Sequence, residues 1–351
     1  MLVIDSHLDI SWNALNWNRD LNRTVAEIRA AEAGMTEQGR GTNTVSLPEL
    51  RRGEVAVCLA TVLARAKPRG DSLLDFRTQE IACAMAQGQL AYYRVLERGG
   101  KARLLKDWRA LVGHLGEWQA APETTPLGFI LAMEGADPIL SPDHAAAWWE
   151  DGLRVVGLAH YGPSAYAHGT ASSGGLTPAG RDLLQAMQQL GMVLDATHLA
   201  EESFWEALEL FQGPVLASHN NCRALVPGDR QFTDAQIQAL LERDAVIGTA
   251  LDSWMLAPGW TLQTARELHV TLENVADQID HICQIAGTAR HCAIGSDLDG
   301  GYGTEQSPED LDTIVDLQKI PALLRKRGYR EADIAAIMHG NWLRFFEGAW
   351  K

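Results

Sequence analysis

Eight short apolar runs recur along the chain, separated by longer stretches of helical spacing. This alternation constrains the fold more than any other feature. The runs lie at 2–4, then EVAVCLATVLA (54–64), LGFILAME (127–134), LRVVGLAHY (153–161), MVLDATH (192–198), PVLASHN (214–220), AVIGTAL (245–251) and HCAIGSD (291–297). Each is continuously apolar rather than alternating, as parallel strands covered by helices should be. Between and after them lie amphipathic stretches at 76–97, 177–191, 200–211, 233–242, 271–287, 307–328 and 329–350. TPAGRDLLQAMQQLG opens on a Thr cap, has Pro in its first turn and closes on Gly. Eight strands alternating with helices predict an α/β fold, a (β/α)8 TIM-like barrel with its site at the C-terminal ends of the strands. A doubly wound sheet would need a Gly-rich phosphate turn after the first run, where the chain reads SHLDIS. Residues 17–50 and 252–270 read as long insertions on βα loops. Without an internal repeat or a linker, 1–351 reads as a single domain.

A net charge of −15 argues against nucleic acid or an anionic membrane as partner. A chain of 351 residues with 46% hydrophobic and 21% charged residues can bury a large core. The five cysteines form no C-x-x-C pair, which points to free thiols in a reducing compartment. MLVIDSH lacks the features of a secretory signal, and no run of 18 uncharged apolar residues occurs, so the expected location is cytoplasmic. For the assembly, a homodimer is the commonest prior.

Chemistry in such a barrel sits where the strands end. The first run leads into His7 and Asp9, two residues apart and so on one face of an extended chain. Glu134 ends the third run, His160 the fourth, His198 the fifth, His219 the sixth and Asp297 the eighth. The second and seventh runs offer no such residue. Any one of these has a plain structural alternative: a buried His bonded within the core, Asp9 as a helix cap, Asp195 or Asp299 as a turn residue. Imidazoles and carboxylates converging on one mouth are what a divalent transition-metal site needs. The set exceeds one tetrahedral zinc, and a bridging carboxylate can hold two ions that share a water. None of the six lysines lies at a strand end, which leaves Glu134 as the bridge.

IDSHLD, AMEGADPI, GLTPAGRDLLQAMQQLGMVLDATH, PVLASHNNCRAL, IGSDLDG and GNWLRFFE occur in order across nearly the whole chain. Together they resemble the membrane (renal) dipeptidase family of zinc metallopeptidases, in its soluble bacterial form. The resemblance implies two Zn2+, with Mn2+, Co2+ or Fe2+ as alternatives for such ligands. It implies that His7 and Asp9 hold one ion with Glu134, and that Glu134, His198 and His219 hold the other. It makes His160 the residue that polarises the scissile carbonyl, and Asp297 the acid/base that moves a proton from the water to the leaving amine. Arg230 resembles the arginine that meets the substrate's C-terminal carboxylate. The implied reaction is hydrolysis of a free dipeptide, with L-Xaa-D-Xaa a substrate class, by metal-bound hydroxide.

The sequence departs from that family at Leu8 (usually Asn), at Asn220 (usually Ser) and over YGPSAYAHGTASSGG, which follows His160. Arg223 and His168 are further candidates for the pocket, against a surface ion pair and a solvated loop His. Trp12, Trp17, Trp254 and Trp260 are candidates for an aromatic wall or for packing, while Trp148, Trp149 and Trp205 read as helix packing. Two other functions stay open: a different hydrolase on the same scaffold, such as an N-acyl amino acid deacylase or a lactonase, and a barrel that binds without turnover.

Overall fold

In the computed structural model of the chain, which describes residues 1–70 and 72–351, each of the eight runs contains a strand. They are β1 (Val3–Leu8), β2 (Val55–Val62), β3 (Leu127–Glu134), β4 (Leu153–Gly157), β5 (Val193–Asp195), β6 (Val215–Leu216), β7 (Ile247–Thr249) and β8 (Cys292–Ile294). β1 to β6 form one parallel ladder in chain order, and β7 pairs in parallel with β8. A parallel bridge from Ala217 to Ile247 carries the ladder from β6 to β7. Past β8, the Asp297 N–H donates to the His7 carbonyl at 3.3 Å and meets β1. The architecture is the (β/α)8 barrel, with helices outside the ring.

Every residue of the eight strands is buried, which is why the runs are continuously apolar. Phe129 on β3 is fully buried, and removing a side chain of that size from water contributes roughly 1.5–3 kcal/mol. The helices begin where caps predict. Thr177 accepts from the Gly180 N–H with Pro178 in the first turn, and Gly191 closes that helix at φ +79°. Thr233 with Gln236 forms a capping box.

The structure departs from the expected elements in several places, all outside β1. β1 itself runs on from its apolar start through Leu8, with His7 in its last pleat and Asp9 just past it, as expected. The stretch 307–328 is not one helix. A 3-10 segment, Ile314–Lys319, precedes the α-helix Ile320–Lys326, and Pro321, which has no N–H to donate, sits in that helix's first turn. The expected C-terminal helix 329–350 is interrupted by a π turn, Ala336–Gly340. That turn packs against β1 and β8, and His339 Nδ1 lies 3.1 Å from the Leu2 carbonyl. A short strand that the sequence reading missed, Ala102–Leu104, pairs with the first half of β3.

Candidate metal centre and substrate cavity

Buried carboxylates pin the strand ends on which the site is built. Asp5 on β1 accepts from the Ser296 N–H at 2.8 Å and the Ser296 hydroxyl at 2.5 Å, which fixes the end of β8. Asp195 on β5 accepts from the N–H groups of Thr197 and Ser218, both at 3.0 Å, holding the ends of β5 and β6 together. His198 and Asp297 then turn inward on left-handed backbone, at φ +66° and +57°. Non-glycine residues adopt that conformation at a cost of order 1–3 kcal/mol, recovered here by the surrounding hydrogen bonds.

On this frame Glu134, at the end of β3, faces two clusters with its two oxygens. Its Oε2 lies 3.8 Å from His7 Nε2, which in turn lies 3.9 Å from Asp9 Oδ2 and 3.7 Å from Asp297 Oδ1. Its Oε1 lies 3.1 Å from His198 Nε2, 3.3 Å from His219 Nε2 and 3.7 Å from His160 Nε2. Three overlapping groups have donor atoms close enough to hold a metal ion: His7–Glu134–His219, Glu134–His160–His198 and His7–Asp9–Asp297. Asp9 occupies the N-cap position of the helix Ile10–Asn16, but its side chain caps nothing.

Three observations fit this donor set to divalent cations. His7 Nε2 and Asp9 Oδ1 are buried with no hydrogen-bond partner among the described residues. His198 Nε2 and His219 Nε2 face each other at 3.2 Å, while their Nδ1 atoms are taken by the Thr170 hydroxyl (3.0 Å) and the Ser218 hydroxyl (2.8 Å). Burial holds both imidazoles well below the usual histidine range, so both are neutral, and each offers Nε2 as a ligand atom when its Nδ1 carries the ring proton. Burial and the crowding of Asp9 push Glu134 up to about 7 despite the opposing pull of His7; burial also pushes Asp297 well up. A cation removes that penalty.

A cavity of about 270 Å³ opens above these residues, lined by Asp9, Glu134, His160, His198, Asp297 and Arg230 among others. The Arg230 guanidinium is braced by Asn220 Oδ1 at 2.6 Å and the His219 carbonyl at 2.8 Å. All eight sequence-picked site residues are therefore brought together: seven line the cavity or the clusters at its floor, and Arg230 joins its wall. Of the tryptophans, Trp12 and Trp254 line the cavity. Trp17 instead stacks against Arg19, and Trp260 is buried outside the lining. Arg223 pairs with Glu201 at 3.0 Å, and neither it nor His168 lines the cavity.

The expectation that the second and seventh runs offer nothing is corrected. Arg65 and Asp252 stand just beyond those runs, and both line the cavity, as does Tyr161. Asp252 accepts from Trp254 Nε1 at 2.6 Å and Gln306 Nε2 at 2.9 Å, and burial pushes its carboxyl up to about 7. The available signal was position: each lies one residue past an apolar run, where a barrel strand hands over to its loop.

A family model described as membrane dipeptidase (peptidase family M19) matches residues 1–350. The chain belongs to this family. It is 31% identical over 178 residues to an uncharacterised protein from the pqqA 5′ region of Klebsiella pneumoniae, covering 50% of this chain and 62% of that protein. It is 27% identical over 247 residues to an uncharacterised dipeptidase of Schizosaccharomyces pombe, covering 69% and 57%. The alignments thus span about three fifths of these relatives' length. A metallopeptidase of Rhodobacter sphaeroides, solved with a phosphinate mimic of the dipeptide L-Ala-D-Ala, superposes with a TM-score of 0.79 at 23% identity, over 100% of this chain and 99% of that one. That likeness establishes the shared fold. No helix among the described residues is long and apolar enough to cross a membrane.

Proposed function

We propose that this chain is a two-metal dipeptidase, a single barrel domain that hydrolyses free dipeptides in the cytoplasm. The observation that carries the reading is Glu134, whose two oxygens face separate ligand clusters 3.1–3.8 Å away. His7, Asp9 and Glu134 would hold one ion; Glu134, His198 and His219 would hold the other, with zinc the ion expected from the family. Such a pair supplies Lewis acidity to a water and to the carbonyl oxygen.

The remaining groups divide the work. Arg230 binds the C-terminal carboxylate, and its two braced N–H groups fix the fork that receives it. This anchor sets a length limit, because a longer peptide would run into the arginine. His160 donates from Nε2 to the carbonyl oxygen as charge develops there. Asp297 accepts a proton from the attacking water and passes it to the leaving amine. Tolerance of a D-residue after the scissile bond is supported by the Rhodobacter sphaeroides relative, whose bound mimic is of L-Ala-D-Ala.

The competing reading is an N-acyl amino acid deacylase or a lactonase, since Arg230 would serve the carboxylate of an acyl amino acid equally well. The test is a panel of L-L and L-D dipeptides with N-acetyl amino acids, with metal content measured on the same sample. Dipeptide turnover with about two ions per chain, lost on chelation, supports the proposal. Turnover of acyl amino acids alone moves the protein to the competing class, and no turnover with no metal overturns both.

A further inference from the structure

A second cavity, of about 640 Å³, adjoins the first and shares Arg65 and Tyr161 with it. Its walls are two loops, one after β2 and one after β4. The first brings Arg65, Lys67, Pro68 and Arg69, and the second brings Tyr161, Gly162 and Ala171.

The annex is a built feature. Asp137, itself buried, accepts from the Ala66 N–H on one loop and the Ala165 N–H on the other, both at 2.8 Å. The β2 loop is closed on itself by Arg65 N–H to the Leu74 carbonyl at 2.8 Å and Lys67 N–H to the Phe76 carbonyl at 2.7 Å. Lys67 Nζ donates to the Pro163 carbonyl, which places its ammonium over the second loop. Ala171 N–H donates to Asp229 at 2.8 Å, tying the far wall to the residue before Arg230.

Charge sets this region apart. The chain carries −15 overall, yet residues 65–77 hold four cations (Arg65, Lys67, Arg69, Arg77) against two carboxylates (Asp71, Asp75). Three of the four cations line the annex, and so does Asp75, whose carboxylate is engaged by Arg65 at 2.7 Å. The ring of Tyr161, the carbon of Pro68 and Ala171, and the stems of Lys67 and Arg69 supply apolar walls below the charged tips. The complement is a methylene stem ending in an anion.

We propose that the annex receives a carboxylate-bearing side chain, so that the preferred substrates are dipeptides containing a glutamyl residue. This inference rests on the dipeptidase reading and specifies its substrate class. Lys67 and Arg69 are the discriminating residues. Arg65 belongs to both cavities and is left intact in the test.

The experiment compares kcat/KM for Ala-Glu with Ala-Gln and for Glu-Ala with Gln-Ala, beside Ala-Ala, in the metal-loaded parent and in the Lys67→Met/Arg69→Gln double variant. The stereoisomers with a D-residue at the second position are included. The expected result is a preference for acid over amide of tenfold or more in one pair. It falls to within about twofold in a double variant whose melting temperature matches the parent. Raising salt from 50 to 500 mM should shrink the parent's ratio and leave the variant's unmoved. Equal rates for acid and amide, with Ala-Ala turned over, overturn the annex proposal and leave the dipeptidase standing. A preference that survives in the double variant overturns the assignment to Lys67 and Arg69. No turnover of any dipeptide, Ala-Ala included, overturns the dipeptidase reading and this proposal with it.

Discussion

Arg65 Nη1 stands 3.3 Å from His160 Nδ1. A guanidinium only donates, so Nδ1 accepts, and the ring carries its proton on Nε2. That nitrogen is the one that faces Glu134, at 3.7 Å. Asp75 holds Arg65 in place through Nε at 2.8 Å and Nη2 at 2.7 Å. Arg65→Met should therefore lower kcat about 10–100-fold with a smaller change in KM. Imidazole 15N shifts on histidine-labelled protein, with His160 assigned by its Gln variant, should show loss of the Nε2–H tautomer. An unchanged tautomer and unchanged kcat would remove Arg65 from the mechanism.

Asn220 stands where the family usually has Ser, and here it braces Arg230. Arg230→Ala should raise KM for dipeptides about 100-fold, in line with losing charge-assisted hydrogen bonds of roughly 1.5–3 kcal/mol. Asn220→Ala should raise it about tenfold through looser positioning. Steady-state kinetics on both variants decides; a fall in kcat at constant KM would contradict the assigned role.

Glu134 is the shared member of both ligand groups. Glu134→Ala should reduce metal content from about two ions per chain to less than one, measured by elemental analysis after gel filtration. Metal binds the folded chain in preference to the unfolded one, so chelation should lower the parent's melting temperature by several degrees. The variant's melting temperature should respond to chelator much less.

Asp252 gives a pH dependence outside the ligand set. Its folded carboxyl keeps its proton up to about pH 7, against an ordinary value of 3.8. Between those values the folded chain binds more protons than the unfolded chain, so this group's contribution to stability falls as pH rises across that window. Asp252→Asn should flatten the decline in urea midpoint between pH 4 and 7. An identical slope in the variant would show that the carboxyl titrates normally.

The insertion after β1 is anchored by Arg19, whose side chain is fully buried. It bonds Glu32 at 2.8 and 3.1 Å and Asn13 Oδ1 at 2.6 Å. Asn13 Nδ2 in turn donates to the carbonyls of Asp9 at 3.0 Å and Asp299 at 2.9 Å. Arg19→Met leaves Glu32 with only Arg40 and the Gly41 N–H as partners and should cost about 2–4 kcal/mol in chemical denaturation. A loss below about 1 kcal/mol would mean that Glu32 finds Arg40 sufficient.

The barrel was legible because strands buried on both faces leave unbroken apolar runs, and the LGFILAME run even coincides with β3 residue for residue. The cluster of candidate ligands was legible because barrel strands bring their C-terminal ends, and the His and carboxylates on them, to one mouth. Arg65, Tyr161 and Asp252 were missed, because position at the end of a run does not by itself distinguish a cavity-lining side chain from a solvated loop one. Their roles come from loops that meet across the mouth. The helix break within 307–328 was marked by Pro321, whereas the π turn within 329–350 was hidden, because its docking onto β1 and β8 leaves no local mark in the sequence.

The contact between β1 and the last helices has a consequence for assembly during synthesis. The Leu2 carbonyl meets His339 Nδ1 at 3.1 Å, and Trp342 Nε1 donates to the Ile294 carbonyl of β8 at 3.0 Å. The candidate ligand pair His7 and Asp9 thus emerges from the ribosome long before the segments that close the ring beside it. A nascent chain therefore holds only part of the candidate centre until the segments from β8 to the helix Asn341–Trp350 have followed and docked.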